Sequence, residues 1–137
     1  MRWTTWGWVL CSLGLGCTAP VQADARLDCL VTYAGVTHDV SAHPVDDPYP
    51  VPAVDIGGRF SFKPVLVGQG ESVQRVALYV YFQTARQPVL VQHAKYLPPY
   101  PVVPSGVALD LTGEQRLYAG ELERELIYRC SLSGVRP

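Results

Sequence analysis

Val73-Gln74-Arg75-Val76-Ala77-Leu78-Tyr79-Val80-Tyr81-Phe82 changes face at every residue. Val76, Leu78, Val80 and Phe82 fall on one side, and Arg75, Ala77, Tyr79 and Tyr81 on the other. A period of two belongs to a β-strand with one buried face, because a helix would return its apolar residues every three or four positions. The β-branched and aromatic residues of the run also suit a pleated surface. Gln83 to Pro88 turns the chain and Val89 to Tyr96 runs back. The stretch therefore predicts a central hairpin.

The same period extends outward in both directions. Leu27, Cys29, Val31 and Tyr33 share one face of a first strand, Ala34-Gly35 makes a turn, and Val36, His38, Val40 and Ala42 line the next strand. His43 to Val54 carries Pro44, Pro48, Pro50 and Pro52, so it is neither helix nor central strand. Arg59 to Val67 forms a third strand with Phe60 and Phe62 together, and Pro64 makes part of it an edge or a bulge. Gly68 to Ser72 is a turn. After the hairpin, Leu97 to Gly106 is a second proline-rich connection and Val107 to Leu111 a short strand. Thr112-Gly113-Glu114-Gln115 has the form of a capping box, which predicts a helical turn over 113–118. A last strand places Leu122, Leu126, Tyr128, Cys130 and Leu132 inward and Glu121, Glu123, Glu125 and Arg129 outward, with Arg124 breaking the pattern.

Residues Met1 to Ala23 read as an export signal. Arg2 supplies the positive start, Trp6 to Leu15 the short apolar run, and Val21-Gln22-Ala23 the small residues ahead of a cut that leaves Asp24 first. The apolar run is shorter than the roughly 20 residues that cross a bilayer. Leu13-Gly14-Leu15-Gly16-Cys17 offers a competing lipid anchor at Cys17, although Gly14 stands where a bulky aliphatic is usual. Asp24 to Pro137 then forms a single secreted domain. Loss of Arg2 makes the formal net charge of −1 one unit more negative. Near-neutral charge argues against nucleic acid, which calls for a basic face.

Cys29 and Cys130 are the two cysteines left after the leader, and in an oxidising compartment they pair. A redox site would want adjacent thiols instead. Seven or so short strands joined by Pro/Gly connections predict an all-β, single-domain antiparallel β-sandwich, immunoglobulin-like or transthyretin-like, stapled between its first and last strands. Tyr128-Arg129-Cys130 resembles the Tyr-x-Cys of immunoglobulin domains. The resemblance goes no further, because the secreted chain has no Trp and a cysteine spacing of about 100 residues is too long.

Chemistry-bearing motifs are few. His38, Asp39, His43, Asp46 and Asp47 cluster in sequence, but His38 and Asp39 point to opposite faces of a strand and Asp46-Asp47-Pro48 is turn chemistry, so no metal site is assigned. Glu121, Glu123 and Glu125 read as a solvated acidic stripe, with Arg75 and Lys63 as cross-strand partners. His93, on the face of Val89 and Val91, reads as a half-buried core histidine. No serine sits in a nucleophile elbow, and Gly68-Gln69-Gly70 is a turn rather than a phosphate loop. No catalytic residue and no cofactor follow.

The two proline segments echo each other: Pro48-Tyr49-Pro50-Val51-Pro52 is answered by Pro99-Tyr100-Pro101-Val102-Val103-Pro104. Such runs are pre-ordered and expose their side chains. Tyr49, Tyr96 and Tyr100 are the candidate partner-binding residues, expected to form an aromatic docking surface at one end of the sandwich. The expected function is a non-catalytic binding or assembly role in the periplasm or outside the cell, on an envelope or extracellular protein partner. An inhibitor of a secreted hydrolase, with Ser105-Gly106 as the tip, is the alternative; a small enzyme or metal-binding protein is a third.

Overall fold

The computed structural model describes residues 23–136 as two β-sheets packed face to face. The strands are β1 (Arg26–Tyr33), β2 (Val36–Ala42), β3 (Pro44–Val45), β4 (Val54–Ile56), β5 (Phe60–Gln69), β6 (Ser72–Gln83), β7 (Pro88–Tyr96), β8 (Leu109–Asp110), β9 (Gln115–Ala119) and β10 (Arg124–Ser133). Ten strands replace the expected seven because β3, β4 and β8 are two- or three-residue pairings within the connections. The first sheet runs β2-β1-β10, with β8 and β9 side by side along the free edge of β10. The second runs β5-β6-β7, with β3 and β4 sharing the other edge of β5. All pairings are antiparallel except β3 with β5.

The core lies between the sheets. Leu27, Val31, Leu126, Tyr128 and Leu132 come from the first sheet, and Phe60, Phe62, Leu66, Val76, Leu78 and Val80 from the second. Phe60 meets Tyr33 and Phe82 edge-on, each at 5.3 Å, a geometry that aromatic quadrupoles favour. A smaller cluster, Val65, Val67 and Ala77, lies on the outer face of the second sheet, under Val45 and Val51. That face is therefore partly covered by the first proline segment.

Local chemistry explains the turns. Ala34 and Gly35 both take positive φ, at 50° and 79°, the twist a two-residue hairpin needs. At Gly68 the β5–β6 register shifts, and a Cβ there would strike the carbonyl oxygen of Ser72. Pro64 stands at a local edge, as expected, since at that position β5 is paired on one side only, by β6. It falls between Phe62, the last residue paired with β4, and Leu66, the first paired with β3. The missing N–H thus coincides with a gap in the ladder.

Five expectations are corrected. Residues 113–118 are not helical: β9 pairs antiparallel with β10, from Gln115 opposite Tyr128 to Ala119 opposite Arg124. Thr112 Oγ1 accepts from the Cys130 N–H at 2.9 Å instead of capping a helix, and Gly113 N–H donates to Asp110 at 3.0 Å. Half of β10 would otherwise lack a neighbour on the side away from β1, and that pairing outweighs helix propensity. Leu122 is 75% exposed, because it sits in the β9–β10 turn with Glu121 and Glu123. The three glutamates consequently form no stripe, and Glu125 bonds Arg116 and Tyr118 rather than Arg75 or Lys63. The β6–β7 hairpin is not central, since β7 is an edge strand. His93 is exposed: an extra residue at Val91 shifts the register, so Gln92, Ala94 and Tyr96 face the core opposite Val80, Leu78 and Val76.

The expected staple is present. Cys29 and Cys130 face each other directly across β1 and β10, with Cα atoms 4.0 Å apart and the sulfurs bonded. The Cys130 N–H and carbonyl are both engaged on the β8 side, by Thr112 Oγ1 and Leu111 N–H. Toward β1 this is a non-hydrogen-bonded pair, where antiparallel strands come closest. Closing a loop of about 100 residues contributes roughly 4–5 kcal/mol in the chain-entropy description. Reduction, or Cys29→Ala, should lower unfolding free energy by about 4 kcal/mol in urea titration; an unchanged midpoint would remove the staple from the account.

Tyr128 crosses the core. Its ring is buried against Phe62, and its hydroxyl donates to Gln92 Oε1 on β7 at 2.6 Å, joining the two sheets. Burial, and secondly the neighbouring Tyr96, push its phenol up to about 12. Because the folded value lies above the ordinary one of about 10, its contribution is complete below pH 10 and drains away as pH rises through 12. Tyr96 and Tyr100, raised by burial as well, act in the same direction. Stability measured at stepped pH should fall between pH 10 and 12, less steeply in Tyr128→Phe. Parallel curves for the two proteins would show that another group governs alkaline unfolding.

Candidate functional site

The second proline segment builds the most distinctive surface. β7 ends at Tyr96, opposite Val76, and four prolines between Pro98 and Pro104 then deny the backbone the donors a strand needs. Tyr100 turns back into the body, where its hydroxyl donates to the Tyr96 carbonyl at 3.2 Å and its ring packs on the core with that of Tyr96. Beyond it the loop is largely exposed, with Val103 half-buried. Val107 N–H bonds the Pro104 carbonyl at 3.0 Å, with Gly106 at φ 79°, closing a tight turn at Ser105-Gly106. Leu97, Val102 and Val107 are left 57%, 78% and 52% exposed.

Under this loop lies an open cleft of about 910 Å³, walled by Pro98 to Val107, by Glu71 to Gln74 at the start of β6, and by Leu132 to Arg136. Val73, Leu109, Leu132 and Val135 supply apolar surface. Arg136 ties one wall down, its N–H to the Glu71 carbonyl at 3.0 Å and its guanidinium to the Glu71 carboxylate at 3.1 Å. Ser72, Ser105 and Ser133 line the cleft, and its walls carry no histidine to act as their base. The arrangement can hold an apolar or extended segment.

The three candidate tyrosines divide into two places. Tyr96 and Tyr100 meet at the base of the second loop and brace it from below. Tyr49 stands in the first loop, 89% exposed, with its N–H held by Asp47 Oδ1 at 3.0 Å. That loop rests through Val51 on the outer face of the second sheet, whereas Tyr100 touches the inner core. Tyr49 therefore does not join the other two.

Among the described residues no three of His, Cys, Asp and Glu gather as a metal-ligand set. His38 and Asp39 lie opposite Val31 and Leu30 and so face different ways, while Asp46 accepts from Gln69 Nε2 at 2.8 Å. Sequence reasoning missed one arrangement. Lys63, Tyr79 and His93 stand directly opposite one another on β5, β6 and β7, with Tyr79 and His93 stacked at 4.4 Å and Lys63 Nζ 5.8 Å from the Tyr79 centroid. The outward alternation of β6 pointed to Tyr79; the bulge at Val91 concealed His93. Comparison with protein-family models, with curated proteins and with solved structures finds no match for this chain.

Proposed function

We propose that this protein is an exported, non-catalytic binding or assembly module that recognises an envelope or extracellular protein partner through its proline- and tyrosine-rich loops. The observation that carries the reading is the loop Leu97–Val107. Its base is fixed by the Tyr100–Tyr96 bond and by core packing, while Val102 and Val107 face solvent. A stiff loop with exposed apolar side chains loses little conformational freedom on docking, so its contacts convert into affinity efficiently. Export rests on the leader read from Met1 to Ala23, and the Cys29–Cys130 disulfide is consistent with an oxidising compartment.

Inhibition of a secreted hydrolase is the second reading, favoured by the hydrogen-bonded turn at Ser105-Gly106, which is a compact and exposed tip. In both readings the protein works by occupying a surface, and Tyr96 and Tyr100 serve as braces rather than contacts.

A photo-crosslinking residue at Val102 in intact cells should yield one discrete protein adduct, and the same residue at Thr37 on β2 should yield none. Val102→Asp with Val107→Asp should abolish that adduct while leaving the melting temperature within a degree or two. Equal labelling from Thr37, or no adduct from Val102 at high labelling yield, would sink the docking role. An adduct identified as a hydrolase that loses activity would select the inhibitor.

A further inference from the structure

Charge in this chain is segregated. From Arg59 to Tyr96 stand Arg59, Lys63, Arg75, Arg86 and Lys95, against Glu71 alone. The other eleven of the 12 acidic residues lie outside that stretch. Glu71 is committed to Arg136. Since the stretch is β5, β6 and β7 with their turns, these three strands are cationic, whereas β3, β4 and the segment between them bring Asp46, Asp47 and Asp55 to the same sheet.

The cations gather on its outer face. Lys63 sits opposite Tyr79 and His93, Lys95 opposite Ala77 in the next outward row, and Arg75 opposite Val67 in the row after. Among the described residues the ion pairs use Arg26, Arg116, Arg129 and Arg136, and Lys63, Arg75 and Lys95 take no part. Asp55 stands at the end of this face away from Arg75, opposite Ser61, and its carboxylate accepts from Gly58 N–H.

Tyr79 and His93 are cross-strand neighbours whose planes differ by 5° at 4.4 Å. Their stacking axis runs from strand to strand, so the rings stand upright on the sheet. The two faces of Tyr79 are taken by His93 and by the Lys63 ammonium, while the second face of His93 looks toward the free edge of β7. What Tyr79 presents to solvent is its ring edge, which is the positive part of an aromatic quadrupole. Ring edges, ammonium and guanidinium together make a surface of donors and positive charge suited to carboxylate oxygens.

We propose that the outer face of β5, β6 and β7, where Lys63, Arg75 and Lys95 lie in successive rows without an ion pair, is a docking surface for a carboxylate-rich segment of a partner protein, the choice of a protein resting on the function proposed above. Tyr49, exposed on the loop that rests on this face through Val51, borders it and adds contact area. This surface is distinct from the loop Leu97–Val107, so the two recognise different features.

The test is anisotropy of fluorescent poly-L-glutamate titrated with the full chain at low salt, with polygalacturonate as a carboxylated glycan competitor. Poly-L-glutamate should bind, and Lys63→Gln, Arg75→Gln and Lys95→Gln together should weaken it about tenfold. Arg75→Gln with Lys95→Gln, at two exposed positions, should move affinity the same way should the triple variant fold poorly. Arg116→Gln with Arg129→Gln on the other sheet, and Val102→Asp on the loop, should leave it unchanged. Unaltered affinity in both sheet variants, or tighter binding of polygalacturonate, would overturn the proposal. So would salt-sensitive self-association in sedimentation that the triple variant abolishes, since the occupant would then be a second copy.

Discussion

The pairing of the first long strand with the last is the constraint from which the architecture follows. β1 and β10 match over eight consecutive residues, from Arg26 opposite Ser133 to Tyr33 opposite Leu126, with the disulfide in the middle. The second sheet is built from the middle of the chain by β5, β6 and β7, joined by short turns. The first sheet is assembled from the two ends, and its closure carries nearly all the loop entropy of the fold. Covalent closure at Cys29–Cys130 removes that cost from the folded side of the balance. It also fixes where the ends lie. Ala25 bonds Gly70 and Arg136 bonds Glu71, so both ends of the described chain meet the β5–β6 turn beside the cleft.

This division explains which parts of the fold could be read from the sequence. The alternation of Val73 to Phe82 and of Leu27 to Tyr33 has one physical cause, a buried face, and burial follows it except at Val73 and Ala77, which are buried on the other phase of the strand. The cysteine pair was legible because reading Met1 to Ala23 as a leader sets Cys11 and Cys17 aside and leaves two thiols and one choice. The proline segments were legible as connections because a missing donor is a local property of the chain.

What could not be read depends on partners distant in sequence. Thr112 to Gln115 satisfies every local rule for a helix start, yet β10 needs a neighbour along Arg124 to Tyr128, and β9 fills that place. Pro64 stands at the local edge that its missing N–H implied, but that β3 and β4 flank the gap on either side could not be read. The bulge at Val91 has no signature in Val89-Leu90-Val91-Gln92-His93, and it alone moves His93 from the expected core to a stack with Tyr79. The candidate site suffered the same limit. Tyr96 and Tyr100 were found by composition, but that they brace the loop, while Tyr49 lies over the opposite face of the sheet, is decided by packing.

Net charge misleads for a related reason. A formal charge of −1 argues against a partner that wants a basic surface only if charge is spread evenly over the molecule. In a sandwich each sheet hides one face and shows the other, and the two outer faces are separated by the thickness of the core. Sheets pack about 10 Å apart, and at physiological ionic strength exposed charges are screened over about 8 Å. A molecule approaching Lys63, Arg75 and Lys95 therefore meets their field with little contribution from the carboxylates of the first sheet. Because each sheet is drawn from its own part of the chain, the middle for one and the ends for the other, the charge that matters for recognition is that of each part. The sum over all residues describes neither face.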